Sequence, residues 1–174
     1  VEVYDPDFST VMKLGSGDGE FGQPGGIAFG EEGQVYVADS RRNVVRIYNP
    51  DGTFRGSFDG SENGNGPLLF PSSLAIDGNS GEIYVTDLHS GEGTGVRYGG
   101  ARIQAFTSGG AFLREFAGFG VGEGVLVKPL GVAVDGEGRV YVTDAFQNVV
   151  QVFARDGSWL TALYDSENPL RKPL

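Results

Sequence analysis

One passage of this chain is written three times. Pro129 to Asp144 reads PLGVAVDGEGRVYVTD, Pro24 to Asp39 reads PGGIAFGEEGQVYVAD, and Pro71 to Asp87 reads PSSLAIDGNSGEIYVTD. Each copy is a short apolar run, a turn rich in glycine and polar residues, and a second apolar run that ends on aspartate. Within the second run, Val35 and Val37 alternate with Tyr36, and Val140 and Val142 with Tyr141. That is the two-residue period of a β-strand. Sheets repeated in this way bury their faces against one another, because a single unit has no core of its own.

A second pair of strands follows each copy. Asn43 to Tyr48 lie beyond Asp39, and the hairpin signal Asp51-Gly52 leads into Thr53 to Phe58. Asp156-Gly157 and Ser108-Gly109-Gly110 hold the same place further along. The opening residues fit the scheme from its middle: Val1 to Tyr4 match Val45 to Tyr48, and Thr10 to Leu14 match the fourth strand. The predicted organisation is therefore a half unit over 1–14 and units over 24–58, 71–116 and 129–164. A further unit begins at 171–174, where Lys172-Pro173-Leu174 repeats Lys128-Pro129-Leu130. The second unit departs from the others by an insertion over 88–100 (LHSGEGTGVRYGG with its flanks), which carries the only histidine, His89.

Four-stranded units of about 40 to 50 residues are the mark of a β-propeller blade. The wording resembles the NHL-repeat family, whose motif runs roughly P-x-G-(I/V)-A-V-D, a turn, (I/V)-Y-V-(A/T)-D, then N-x-x-(I/V)-x-(V/F)-(F/Y). Gly26 to Phe29, Leu74 to Asp77 and Gly131 to Asp135 fill its first part; Val35 to Asp39, Ile83 to Asp87 and Val140 to Asp144 fill its second. Gly30 stands where the motif has its first aspartate. The resemblance implies an all-β fold of antiparallel four-stranded blades, here three and a half repeats of an incomplete ring. A ring of roughly six blades is the family's usual closure. The terminal blade faces are then expected to be covered by remaining blades of a longer chain or by other protein chains, making this segment part of an assembly.

Composition narrows the function. A formal net charge of −10 disfavours a surface that tracks phosphates, so no nucleic-acid partner is expected. The absence of cysteine excludes disulfides and thiolate zinc sites, and it fits an exported, periplasmic or extracellular protein. No apolar run approaches the roughly 18 residues of a membrane span.

Strand order then locates the candidate surface. If the chain runs down the first strand and up the second, the links between second and third strands share a rim with the links between blades. That rim holds the connectors 15–23, 59–70 and 117–128, the turns 40–42 and 145–147, and the insertion. Loops of varied length on a rigid scaffold are where binding resides. The predicted contact patch has His89, Arg97 and Tyr98 near its centre, with Arg41, Arg42, Phe146 and Gln147 flanking.

The repeated Asp39, Asp87 and Asp144 read as structural acceptors for backbone amides at a turn, and Tyr36, Tyr84 and Tyr141 as packing between blades. Asp59 to Asn65 carries spaced oxygen ligands but lacks a glutamate at the twelfth position, and reads as a plain connector. No G-x-S-x-G, H-E-x-x-H or phosphate loop is present. The reading is a non-catalytic interaction or scaffold module without cofactor or metal. The alternatives are a propeller hydrolase or lyase whose metal ligands lie in other blades, and, below that, the RNA binding known for some NHL domains. Gly25, Ser72, Ser73 and Leu130, at the starts of the first strands, offer no ligand set, and acidic residues interrupt the basic ones along the rim.

Overall fold

The computed structural model describes residues 1–15, 20–63, 66–88 and 100–164. The strands β1 (Glu2–Tyr4) and β2 (Thr10–Lys13) form a two-stranded sheet, the half-blade. Blade 1 contains β3 (Pro24–Phe29), β4 (Val35–Asp39), β5 (Val44–Tyr48) and β6 (Phe54–Phe58). Blade 2 contains β7 (Pro71–Ile76), β8 (Ile83–Leu88), β9 (Ala101–Phe106) and β10 (Phe112–Phe116). Blade 3 contains β11 (Pro129–Val134), β12 (Val140–Asp144), β13 (Val149–Phe153) and β14 (Trp159–Leu163). A short 3-10 turn, Ser61–Asn63, interrupts the connector after β6. Each blade is an antiparallel meander in chain order, the propeller arrangement expected from the repeat. The sheets stack without closing into a ring. Among the described residues no helix is long and apolar enough to cross a membrane.

The period of two becomes three seams. Val35 and Val37 of β4 turn towards the half-blade and join Leu14 and Tyr48, with Val3 and Met12 packed against them. Tyr36 and Ala38, on the opposite face, meet Leu74, Ile83, Val85 and Phe106 of blade 2. Tyr84, Ile103 and Ala105 then meet Val140, Val142 and Phe153 of blade 3. An aromatic pair marks two of the seams: Phe58 with Phe106 at 4.9 Å and Phe116 with Phe153 at 5.3 Å between ring centroids. Full burial of one such ring is worth about 1.5–3 kcal/mol, so the stack is held chiefly by apolar surface.

Tyr36 and Tyr84 are buried in these seams, and the Tyr36 hydroxyl donates to the Ser108 carbonyl of the next blade at 2.9 Å. Tyr141 lies on the far face of blade 3. It is half-buried, and its hydroxyl donates to Asp135 of its own blade at 2.9 Å.

Where blades 1 and 2 meet at their inner strands, the spacing demands glycine. A Cβ on Gly25 would lie 2.6 Å from the Ser72 carbonyl oxygen, and one on Gly26 2.7 Å from Ser73 Cα. The starts of the inner strands are thus lined by small groups. Ser72 Oγ and Thr86 Oγ1 stand 2.8 Å apart, and Thr86 Oγ1 also accepts the Ser73 amide at 2.9 Å.

Gly30, the departure from the motif, also finds its reason. In blades 2 and 3 the first-part aspartate accepts the amide two residues on: Asn79 N to Asp77 and Glu137 N to Asp135, both at 2.9 Å. In blade 1 the Gln34 side chain does this from the other strand, accepting Glu32 N at 3.2 Å. A Cβ at Gly30 would lie 2.7 Å from that same Gln34 oxygen. The amide and the missing carboxylate would occupy one place.

A candidate interaction rim

The connectors between blades and the turns between second and third strands meet at one end of the stack, the upper rim. Three aspartates tie them together. Asp39 accepts Gly22 N at 2.8 Å and Gln23 N at 2.9 Å. Asp87 accepts Leu69 N at 2.9 Å and Phe70 N at 2.8 Å. Asp144 accepts Val127 N at 2.7 Å and Lys128 N at 3.2 Å. Each carboxylate is buried, and each pins the end of the preceding connector to the end of its own second strand. The turn beyond the strand uses the same acceptor: Arg42 N reaches Asp39, and Phe146 N and Gln147 N reach Asp144.

Burial pushes the Asp39 carboxyl up, but the amides of Gly22, Gln23 and Arg42 and the Arg46 guanidinium outweigh it, leaving it below the ordinary carboxylate range. Asp144 is lowered in the same way: burial opposes, while the Gln147 side chain and the amides of Val127, Gln147 and Lys128 prevail. These are structural carboxylates, as their threefold repetition implied.

The motif asparagine has a local role. Asn43 and Asn148 adopt left-handed backbone, at φ 59° and 54°, a conformation that asparagine tolerates better than most residues. These bends display the turns just before them. Arg41 and Arg42 are exposed beside the first connector, Arg42 lying 3.8 Å from Asp39. Phe146 is 62% exposed. Gln147 is half-buried with its side-chain amide fully engaged: it donates to Val125 O at 2.9 Å and to Asp144 at 3.0 Å, and accepts Gly122 N at 2.7 Å. His89, Arg97 and Tyr98 lie outside the described residues, as do Gly64 and Asn65 and the segment 171–174; Asp59 accepts the Ser61 amide at 2.9 Å in a local turn.

The third connector holds what residue patterns did not show. Gly120 N donates to Leu126 O and Leu126 N to Gly118 O, each at 2.9 Å, closing residues 118–126 into a compact loop. Buried Gln151 enters it from β13, donating to Gly122 O at 2.9 Å and Val125 O at 2.6 Å and accepting Gly124 N at 2.8 Å. Gln147 closes the other side. With its backbone thus satisfied, the loop leaves Phe119 48% and Val121 55% exposed. The Gly122–Gln147 bond ties this loop to the turn that carries Phe146. Phe119 and Val121 carried no repeat signal; their placement between glycines, at 118, 120 and 122, was the only hint.

Among the described residues no group of three His, Cys, Asp or Glu side chains comes together to hold a metal ion. The fold and the rim define a run of propeller blades with pinned loops along one end. A family profile described as NHL repeat matches residues 21–48. The chain is 30% identical over 148 residues to Protein brain tumor of Drosophila melanogaster, covering 85% of this chain and 13% of that protein. It is 29% identical over 152 residues to the B-box type zinc finger protein ncl-1 of Caenorhabditis elegans, covering 82% and 16% respectively. The chain therefore spans only a small part of the curated relatives it matches. A gluconolactonase from Xanthomonas campestris superposes with a TM-score of 0.66 over 94% of this chain and 54% of its own, at 20% identity, a likeness of fold. This chain belongs to the NHL-repeat β-propeller family.

Proposed function

We propose that this segment is a non-catalytic protein-interaction module whose partners meet it on the upper rim. The observation that carries the proposal is the 118–126 loop. Its backbone is closed on itself and on two glutamines, yet Phe119 and Val121 face solvent, as does Phe146 on the turn to which Gln147 ties the loop. Apolar side chains displayed on a pre-organised loop bind with little loss of conformational entropy, and aromatic anchors dominate the energetics of such contacts. The charge of −10 favours a partner segment that places lysine or arginine around its own apolar residues. Arg41, Arg42 and the residues between Leu88 and Ala101, with His89, Arg97 and Tyr98, complete the proposed surface.

Selection from a phage-displayed peptide library tests it. Enriched peptides are expected to combine aromatic or aliphatic residues with basic ones. They should lose about tenfold or more in affinity when Phe119→Ser and Phe146→Ser are combined, with the melting temperature unchanged. Binders indifferent to these substitutions would reject the surface.

A further inference from the structure

The three seams follow one rule, and the outer face of the half-blade departs from it. In each seam an aromatic residue ends the third strand and is buried: Tyr48, Phe106 and Phe153. A large apolar residue at the end of the preceding blade's fourth strand packs on that side: Leu14, Phe58 and Phe116. The turn after the third strand supplies a glycine with left-handed backbone: Gly52 at φ 84°, Gly110 at 89° and Gly157 at 92°. The glycine is there for space as well as for backbone. A Cβ on Gly110 would lie 2.5 Å from the Phe58 ring, one on Gly157 2.7 Å from Phe116 Cβ, and one on Gly52 3.0 Å from Met12 Sδ and 3.2 Å from Leu14. The preceding blade provides the bulk, and the turn provides the gap.

On the half-blade the third-strand aromatic is Tyr4, which matches Tyr48 but is 52% exposed. Its hydroxyl is tied to Glu2, which also pairs with Lys13 at 2.7 Å. In the turn, the position of Gly52 is taken by Phe8. It keeps the left-handed backbone at φ 63° and is 86% exposed. A bulky residue in this conformation is strained, and here no contact offsets the strain. No blade ending in Phe58-like bulk could approach this turn as the others approach theirs.

We infer that the half-blade receives a further blade of the same polypeptide through an inverted seam. Phe8 supplies the ring, and the fourth strand of the incoming blade ends in a small residue, glycine, alanine or serine, where Phe58 and Phe116 stand elsewhere. Tyr4 is the second element of that seam, already in place. The gluconolactonase of the same fold is matched over 94% of this chain but only 54% of its own, so that chain extends beyond the counterpart of the half-blade and three blades. The inversion also sets identity: this edge rejects blades of the kind that precede blades 2 and 3.

The test is the sign of one substitution in the intact protein. Phe8→Gly relieves strain, so on a solvent-exposed turn it raises the melting temperature. In an inverted seam it removes the buried ring, and a fall of several degrees is expected. A rise or no change would overturn the inference. Thiol labelling gives a second readout should that variant fold poorly. With Phe8→Cys, protection in the native protein and rapid reaction after unfolding support the seam, whereas rapid reaction in the native protein counts against it. The steric premise is checked at a seam already visible. Gly110→Phe should be strongly destabilising, and adding Phe58→Gly should recover at least tenfold in the folding constant; a double variant no better than the single one would sink the premise.

Discussion

The two rims of the stack use their polar groups differently. At the upper rim each blade is self-contained: Asp39, Asp87 and Asp144 bind the connector and, in blades 1 and 3, the turn of their own unit, and every carboxylate is buried. At the lower end the polar groups reach between blades. Arg155 of blade 3 pairs with Asp77 of blade 2 at 2.7 Å, and Asn79 donates to Gly136 O at 2.9 Å. Arg114 binds Glu82 at 2.7 Å and the Tyr84 hydroxyl at 2.9 Å, and also touches the Arg155 carbonyl. Burial and the Glu82 carboxylate push the Tyr84 hydroxyl well above its ordinary range, so it stays a neutral donor. One end therefore holds blades together while the other holds loops in place. Because the upper anchors sit beneath the surface, the residues above them are free to differ from blade to blade without loosening the scaffold.

The comparison breaks most severely at Asp144. Asp144→Ala leaves the amides of Val127, Lys128, Phe146 and Gln147 without their acceptor and takes one of two from the Gln147 side chain. We expect a loss of about 3–5 kcal/mol in urea unfolding; a loss below about 1 kcal/mol would deny the upper rim its internal anchoring.

Acid should expose the same anchors. The folded pKa values of Asp39 and Asp144 lie below the unfolded value of about 3.9. At intermediate pH the unfolded chain therefore binds more protons than the native one. The stabilisation is fully present above pH ~4 and is lost as pH falls through the folded values. Melting temperatures between pH 6 and pH 2 should show a plateau followed by a decline, and Asp144→Asn should shallow that decline.

At the lower rim effects are smaller. Arg155 is partly exposed, so Arg155→Ala should cost about 1 kcal/mol or less and weaken further with added salt. A larger cost than that of Asp144→Ala would reverse the ranking of the two rims. An effect of similar size sharpens the account of Gly30. Gln34→Ala frees the Glu32 amide and should cost about 0.5–1.5 kcal/mol. Adding Gly30→Asp, freed of the Gln34 oxygen but with its Cβ still 3.0 Å from the Tyr36 ring, should return part of it. Gly30→Asp alone meets the Gln34 oxygen and should be destabilising.

Strand order, the sharing of one rim by connectors and turns, and the structural role of the three aspartates were all legible in the sequence. So was the burial of Tyr36 and Tyr84. Each rests on local periodicity or on repetition, and a repeated environment leaves the same residue at the same place. Only tertiary structure decided how the glutamines are used. Gln151 meets the Gly122 carbonyl across 29 positions of sequence, and such a bond has no period by which it could be read. The same holds for Gln34 standing in for the absent aspartate, and for the Phe58 ring that makes Gly110 obligatory. The residue pattern sets which face of each strand turns inward; the space left between faces depends on side chains that meet only once the blades have stacked.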